Sequence, residues 1–187
     1  MRASRRGRAA VLLLGLATLL GAVSCDGDDD DGGILLCLQF AAAASPSPNT
    51  VVAVDGPGST CSIAELDLVI TDVSDILGIS FTATFDPAVV AFSSVSTSGS
   101  VLESDADLAV EVGEGPGSVT IGVTRVAATP PGVGAMGSAK LVTLRFASTG
   151  SLGSTMVTFS PAKVLGSETP PQEKPDIVWS GGTLERL

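Results

Sequence analysis

The sequence predicts an all-β sandwich, on three observations. From Thr50 onward, short runs rich in β-branched residues recur at fairly regular spacing, punctuated by Gly, Pro, Ser and Asp. Within several runs apolar and small polar residues alternate, which is the period of a strand buried on one face only. Beyond residue 24 no stretch sustains the 3.6-residue apolar period of a long amphipathic helix.

Nine runs qualify as strands. The first two, Val51–Val54 and Glu65–Thr71, are separated by the turn signal Asp55-Gly-Pro-Gly58. The third, Leu77–Phe85, sets Ile79, Phe81, Ala83 and Phe85 against Ser80, Thr82 and Thr84. The fourth is Val89–Val95. In the fifth, Leu108–Val112, Leu108, Val110 and Val112 oppose Ala109 and Glu111. After Gly113-Glu-Gly-Pro-Gly117 comes the sixth, Val119–Val126, with Val119, Ile121 and Val123 opposite Thr120, Gly122 and Thr124. Thr129-Pro-Pro-Gly132 precedes the seventh, Ala139–Ala147. In the eighth, Thr155–Phe159, Val157 and Phe159 oppose Thr158. Glu168-Thr-Pro-Pro171 leads to the ninth, Ile177–Leu184. One face of these strands is apolar core; the other is a flat field of small hydroxyls with an occasional acid.

The N-terminus carries an address. Met1–Arg8 holds four arginines and no acid, Ala9–Val23 is almost wholly apolar, and Ser24-Cys25 closes the segment before Asp26-Gly-Asp-Asp-Asp-Asp31. A basic stretch, a short apolar stretch and small residues at the cut describe a secretory signal. Val11–Val23 falls short of the roughly 20 apolar residues of a membrane span. A cysteine at the cut resembles the lipobox of bacterial lipoproteins, which implies lipidation of Cys25 as the first residue of the mature chain. The expected organisation is a signal peptide over 1–24, a tether over 25–49 and a single domain over 50–187. Repelling aspartates extend the tether. Within it Ile34–Phe40 is a short apolar run, either an edge strand or a hydrophobic collar, and Ala41–Asn49, with its Ser-Pro-Ser-Pro, reads as a linker.

Composition excludes several functions. Ten Lys and Arg face twenty Asp and Glu, a net −10, and without the four signal arginines the mature part stands at −14. So acidic a chain does not bind nucleic acid or an anionic membrane surface by charge. Its membrane contact is expected through lipid alone. With Cys25 lipidated, Cys37 and Cys61 remain as an even pair in an oxidising compartment. A bridge between them closes a loop of about 24 residues, worth ~3 kcal/mol in the chain-entropy model; the alternative is two buried free thiols. With no histidine, two isolated thiols do not make a zinc site.

Leu77-Gly-Ile-Ser-Phe-Thr-Ala-Thr-Phe-Asp-Pro-Ala-Val-Val-Ala-Phe92, with Asp72-Val-Ser-Asp75 as the turn before it, resembles the cohesin segment in which a strand runs through an Asp-Pro turn into the next. Gly137–Phe146 is similar to that family's glycine-led later strand, and Thr158–Leu165 followed by Trp179–Leu184 to its last two. The resemblance spans roughly Thr50 to Leu187. It implies a nine-stranded jelly-roll sandwich of cohesin type that binds a dockerin-like protein. The binding surface it implies is the outer face of the sheet holding the third, fifth, sixth and eighth strands. On this chain that is Ser80, Thr82, Thr84, Glu111, Thr120, Gly122, Thr124 and Thr158. Alternation by itself already assigns these residues to the solvent side.

Three functions compete. The first is a membrane-anchored, extracytoplasmic module for non-catalytic protein–protein interaction, monomeric and without cofactor. The second is a carbohydrate-binding module associated with polysaccharide degradation. Sugar platforms on such folds use exposed aromatic rings, and this chain has no tyrosine and one tryptophan, Trp179, itself a candidate core residue. The third is an enzyme. Serine or cysteine triads lack a histidine base here. Paired carboxylates remain, at Asp105 with Asp107 and Glu111 with Glu114, and read as solvated loop charges. Two acidic groups, Asp72 with Asp75 and Glu103 with Asp105 and Asp107, lack the twelve-residue loop of an EF-hand calcium site and read as solvated turns.

Overall fold

Hydrogen-bonded pairing sorts the strands into two sheets. The computed structural model describes residues 36–186; the expected signal peptide over 1–24, Cys25 and the aspartate run lie outside the described residues. In chain order the strands are β1 Leu38–Ala42, β2 Thr50–Asp55, β3 Ile63–Ile76, β4 Gly78–Thr84, β5 Val90–Ser96, β6 Asp107–Gly115, β7 Ser118–Val126, β8 Val133–Ser148, β9 Gly153–Leu165, β10 Val178–Ser180 and β11 Gly182–Arg186. A 3-10 turn, Val101–Glu103, precedes β6. One sheet has the order β1-β11-β9-β4-β7-β6 and the other β10-β2-β3-β8-β5. Every pair is antiparallel except β10 with β2. The predicted two-sheet, all-β class is the observed one.

The core lies between the sheets and is built by the predicted alternation. From the first sheet Phe81, Ile121 and Leu184 are at most 1 % exposed, and from the second Leu66, Leu144 and Phe146 are fully buried. Each such side chain contributes about 1.5–3 kcal/mol by leaving water. The Asp86-Pro87 turn between β4 and β5 is held by its own aspartate: Oδ1 accepts the Ala88 amide at 2.8 Å and the carbonyl accepts the Val89 amide at 3.1 Å.

The strand count and the start of the sandwich differ from expectation. The apolar run before Thr50 supplies an edge strand, β1, paired residue for residue with β11 from Leu38↔Arg186 to Ala42↔Gly182. Leu38 is 4 % exposed, so β1 belongs to the core-bearing unit rather than to a tether. The predicted ninth strand is two: β10 pairs with β2 in one sheet, and β11 with β9 in the other. The crossing needs Gly181 and Gly182. A Cβ on Gly181 would stand 1.8 Å from the Val157 carbonyl oxygen, and one on Gly182 2.4 Å from the Ala41 carbonyl oxygen and the Phe40 ring.

The expected turn at Asp72–Asp75 is instead the doubly bulged end of β3, with register shifts after Thr71 and after Val73. The first shift sets Met136 and Gly137 of β8 against Asp72, and the second sets Ser74 and Asp75 of β3 against Gly134. Asp72 and Asp75 stand at φ 52° and 55°, a left-handed conformation that aspartate tolerates better than most.

The fifth predicted strand points the expected way but is less covered. Val110 and Val112 pair with the buried Val123 and Ile121 and so face inward, yet they remain 41 % and 43 % exposed. β6 is an edge whose main neighbours are β7 and the 3-10 turn, so its inner side is only half roofed.

Candidate binding face

The eight residues assigned to the solvent side share one surface, the outer face of β6, β7, β4 and β9. Pairing sets them in rows: Glu111 beside Gly122 and Gly122 beside Ser80; Thr120 beside Thr82; Ser118 beside Thr84, and Thr84 beside Thr158. Thr124 stands opposite Gly78 and Ala109 at the end of the same face. None of the eight is buried. The hydroxyls of Thr82 and Thr120 lie 2.9 Å apart and those of Thr84 and Thr158 2.7 Å apart, each pair hydrogen-bonded across two strands. β-Branched threonines suit a pleated surface, and cross-strand pairs fix their rotamers. The face therefore presents ordered hydroxyls on a rigid sheet.

It has relief as well. Ser80, Glu111, Val112, Gly113, Thr120 and Gly122 line a shallow hollow of about 550 Å³. Its floor is Gly122, where a Cβ would meet only the Glu111 Cβ, at 4.0 Å. The missing side chain makes the dip and puts the Glu111 carboxylate at its rim.

Two residues of this face escaped the sequence reading. Met156 is 66 % exposed on β9, two positions before Thr158, and simple alternation from Thr158 locates it. Lys163 pairs with Ser80 and extends the Glu111–Gly122–Ser80 row. Alternation from Thr158 would turn Lys163 inward. The bulge at Ser160-Pro161, where proline has no amide to donate, shifts the phase so that Val164 is buried and Lys163 exposed. Lys163 is ion-paired with Glu173 at 2.9 Å.

The opposite sheet presents a different surface. Glu65 and Arg145 are cross-strand partners, with Nη2 and Nε of the arginine 2.7 and 2.8 Å from Glu65 Oε2. Asp67 accepts a hydrogen bond from the Thr143 hydroxyl and lies 3.9 Å from Lys140. The Asp55–Ser59 loop folds over Glu65, and a Cβ on Gly58 would touch its carboxylate. These charges are engaged within the molecule, whereas the hydroxyl face is open.

The remaining candidates take other roles. Glu111 and Glu114 project to opposite faces of β6, so they do not form a carboxylate pair. Glu103 accepts the Thr97 hydroxyl at 2.8 Å and the Gly99 amide at 3.1 Å, which clamps the loop before the 3-10 turn. Asp72 accepts the Gly137 amide at 2.7 Å. Asp75 accepts both the hydroxyl and the amide of Ser167. The Ser167 hydroxyl, then its amide, hold the Asp75 carboxyl below its ordinary value of 3.8, with Lys174 adding to the effect against partial burial. Among the described residues no three His, Cys, Asp or Glu gather as a metal would require. Trp179 packs on the core beside Phe81 and Phe159, at ring separations of 5.4 and 6.0 Å. Cys37 and Cys61 form a disulfide that ties the entry of β1 to the approach of β3 in the other sheet.

A family model described as the cohesin domain matches residues 50–181. No curated protein matches the chain. Solved structures share the fold at low identity. The seventh ScaB type I cohesin from Pseudobacteroides cellulosolvens superposes with a TM-score of 0.54 at 10 % identity, covering 72 % of this chain and 88 % of that one. The third cohesin ScaC of Acetivibrio cellulolyticus, solved in complex with the ScaB dockerin, gives 0.53 at 18 % identity over 66 % and 88 %. A cohesin from Clostridium acetobutylicum gives 0.52 at 16 % identity over 79 % and 89 %.

Proposed function

The chain belongs to the cohesin family, and on that premise we propose that it is a non-catalytic protein-interaction module that receives a dockerin-like partner on the outer face of β4, β6, β7 and β9. The observation that carries this is the gathering of Ser80, Thr82, Thr84, Glu111, Thr120, Gly122, Thr124 and Thr158 on one open, rigid surface, while the opposite sheet's charges are engaged internally. Paired hydroxyls on fixed rotamers offer donors and acceptors at little ordering cost. The Gly122 hollow offers shape, and exposed Met156 an apolar contact at the rim. A non-catalytic role is supported by the divergence of Glu111 and Glu114 and by the structural use of Glu103, Asp72 and Asp75. Nothing favours a polysaccharide site, since Trp179 and the phenylalanines of the described residues pack on the core.

The domain acts as a monomer held at a bacterial membrane, on its periplasmic or outer side, by lipid on Cys25. The order of arginines, apolar run and cysteine supports that anchoring.

The test is a pull-down from the source cells with the native protein and with Thr82→Arg combined with Thr124→Arg. Two added charges on the face should abolish capture of dockerin-bearing proteins. Capture undiminished by the double substitution would place the binding surface elsewhere. Cys25→Ser should release the protein into the soluble fraction and abolish fatty-acid labelling; unchanged membrane partition would defeat the anchoring.

A further inference from the structure

The four sheet edges are protected unequally. β1 has five residues and is fastened at its entry by the Cys37–Cys61 bridge. β10 has three residues. β5 is broken by a bulge between Phe92 and Ser94. β6 is nine residues long and pairs with β7 without a register shift. Among the described residues no strand pairs with its other side, which offers a row of backbone amides and carbonyls about 30 Å long. Beside that row Val110 and Val112 are 41 % and 43 % exposed on the inner side, where a further strand would cover them.

Among the described residues, charge guards this edge. β6 carries Asp107, Glu111 and Glu114 and no basic residue, and Glu103 and Asp105 lie just before it. The nearest arginine along β7, Arg125, is 7 % exposed and turned to the Ser104 carbonyl at 2.8 Å. Acids on an edge deter a second copy of the same chain. An antiparallel β6–β6 pair centred on Glu111 would set that carboxylate against itself, and like charges directly opposite are destabilising. The same acids favour a basic strand.

We propose that β6 is a second docking surface, which accepts an extended basic segment of a partner protein as an added strand of the sheet. Apolar residues of the segment cover Val110 and Val112, and the alternate lysines or arginines lie on the outer side with Glu111. Main-chain hydrogen bonds supply affinity and the alternation supplies selectivity. This surface is the backbone edge of β6 with its inner valines; it shares Glu111 with the hydroxyl face but does not depend on the identity of the partner held there.

A nine-residue peptide of alternating lysine and valine, acetylated and amidated, is the probe, with a glutamate–valine peptide as its counterpart. At low salt the basic peptide should bind saturably and slow amide hydrogen exchange in residues 108–114. The acidic peptide should bind at least tenfold more weakly. Asp107→Lys combined with Glu111→Lys, both on the outer side of β6, should weaken the basic peptide at least tenfold. The peptide exchange leaves the protein unaltered, so it decides the matter even if the variant does not fold. No saturable binding, equal binding of both peptides, or slowed exchange confined to residues outside β6 would each overturn the proposal. Self-association that protects β6 in sedimentation and exchange measurements would overturn it too, since the occupant would then be a second copy.

Discussion

The indole of Trp179 lies 5.4 Å from the ring of Phe81, tilted by 40°, and joins β10 of one sheet to β4 of the other across the core. A platform for sugar rings requires an exposed aromatic face, and this one is spent on packing. Trp179→Ala should therefore lower stability by about 3 kcal/mol, with Trp179→Phe costing about 1 kcal/mol. Urea unfolding followed by circular dichroism reads both values. A Trp179→Ala protein of native stability would return the residue to the surface.

The bridge between Cys37 and Cys61 spans 24 residues of sequence. Replacing both cysteines by serine should cost about 3 kcal/mol, from loop closure lost in the unfolded chain. The thermal midpoint of the native domain should fall on reduction to that of the double variant. An identical midpoint before and after reduction would mean that the bridge contributes nothing.

Asp75 gives a pH dependence of definite sign. Its carboxyl is held below 3.8 in the folded state by Ser167. A depressed carboxylate contributes stability that is complete above its unfolded value and is lost as pH falls through the folded one. Asp75→Asn should accordingly be less stable than the native domain at neutral pH, with the gap closing below about pH 3.8. Because the side chain is 39 % exposed, solvent screening keeps the gap small. Parallel acid titrations of the two unfolding midpoints test it, and a gap that does not change with pH would contradict it.

Gly181 is the point where the chain passes from one sheet to the other. With a Cβ only 1.8 Å from the Val157 carbonyl oxygen, Gly181→Ala should cost at least ~2 kcal/mol, because backbone rather than a flexible side chain must yield. A variant with unchanged chemical denaturation would show that the crossing has room to move.

Alternation reads burial within one strand reliably, because successive side chains point to opposite faces. Ile79, Phe81 and Ala83 are buried and Ser80, Thr82 and Thr84 are not, as the pattern requires. The method fails where that period is interrupted. At Ser160-Pro161 a bulge reverses the phase and brings Lys163 to the outer face. At Asp72 and Asp75 two bulges make a strand end look like a turn. At Gly181-Gly182 one apolar run serves two sheets.

The sequence by itself determined the all-β class and the apolar and hydroxyl faces of the central strands, because each depends on neighbours within a few residues. Only the tertiary structure decided that β1 pairs beside β11, that Trp179 packs against the core beside Phe81, and that β6 stands at an edge with its valines half covered. The reason is physical. Whether an apolar side chain is covered depends on which strand is packed across from it, and that strand can lie anywhere along the chain.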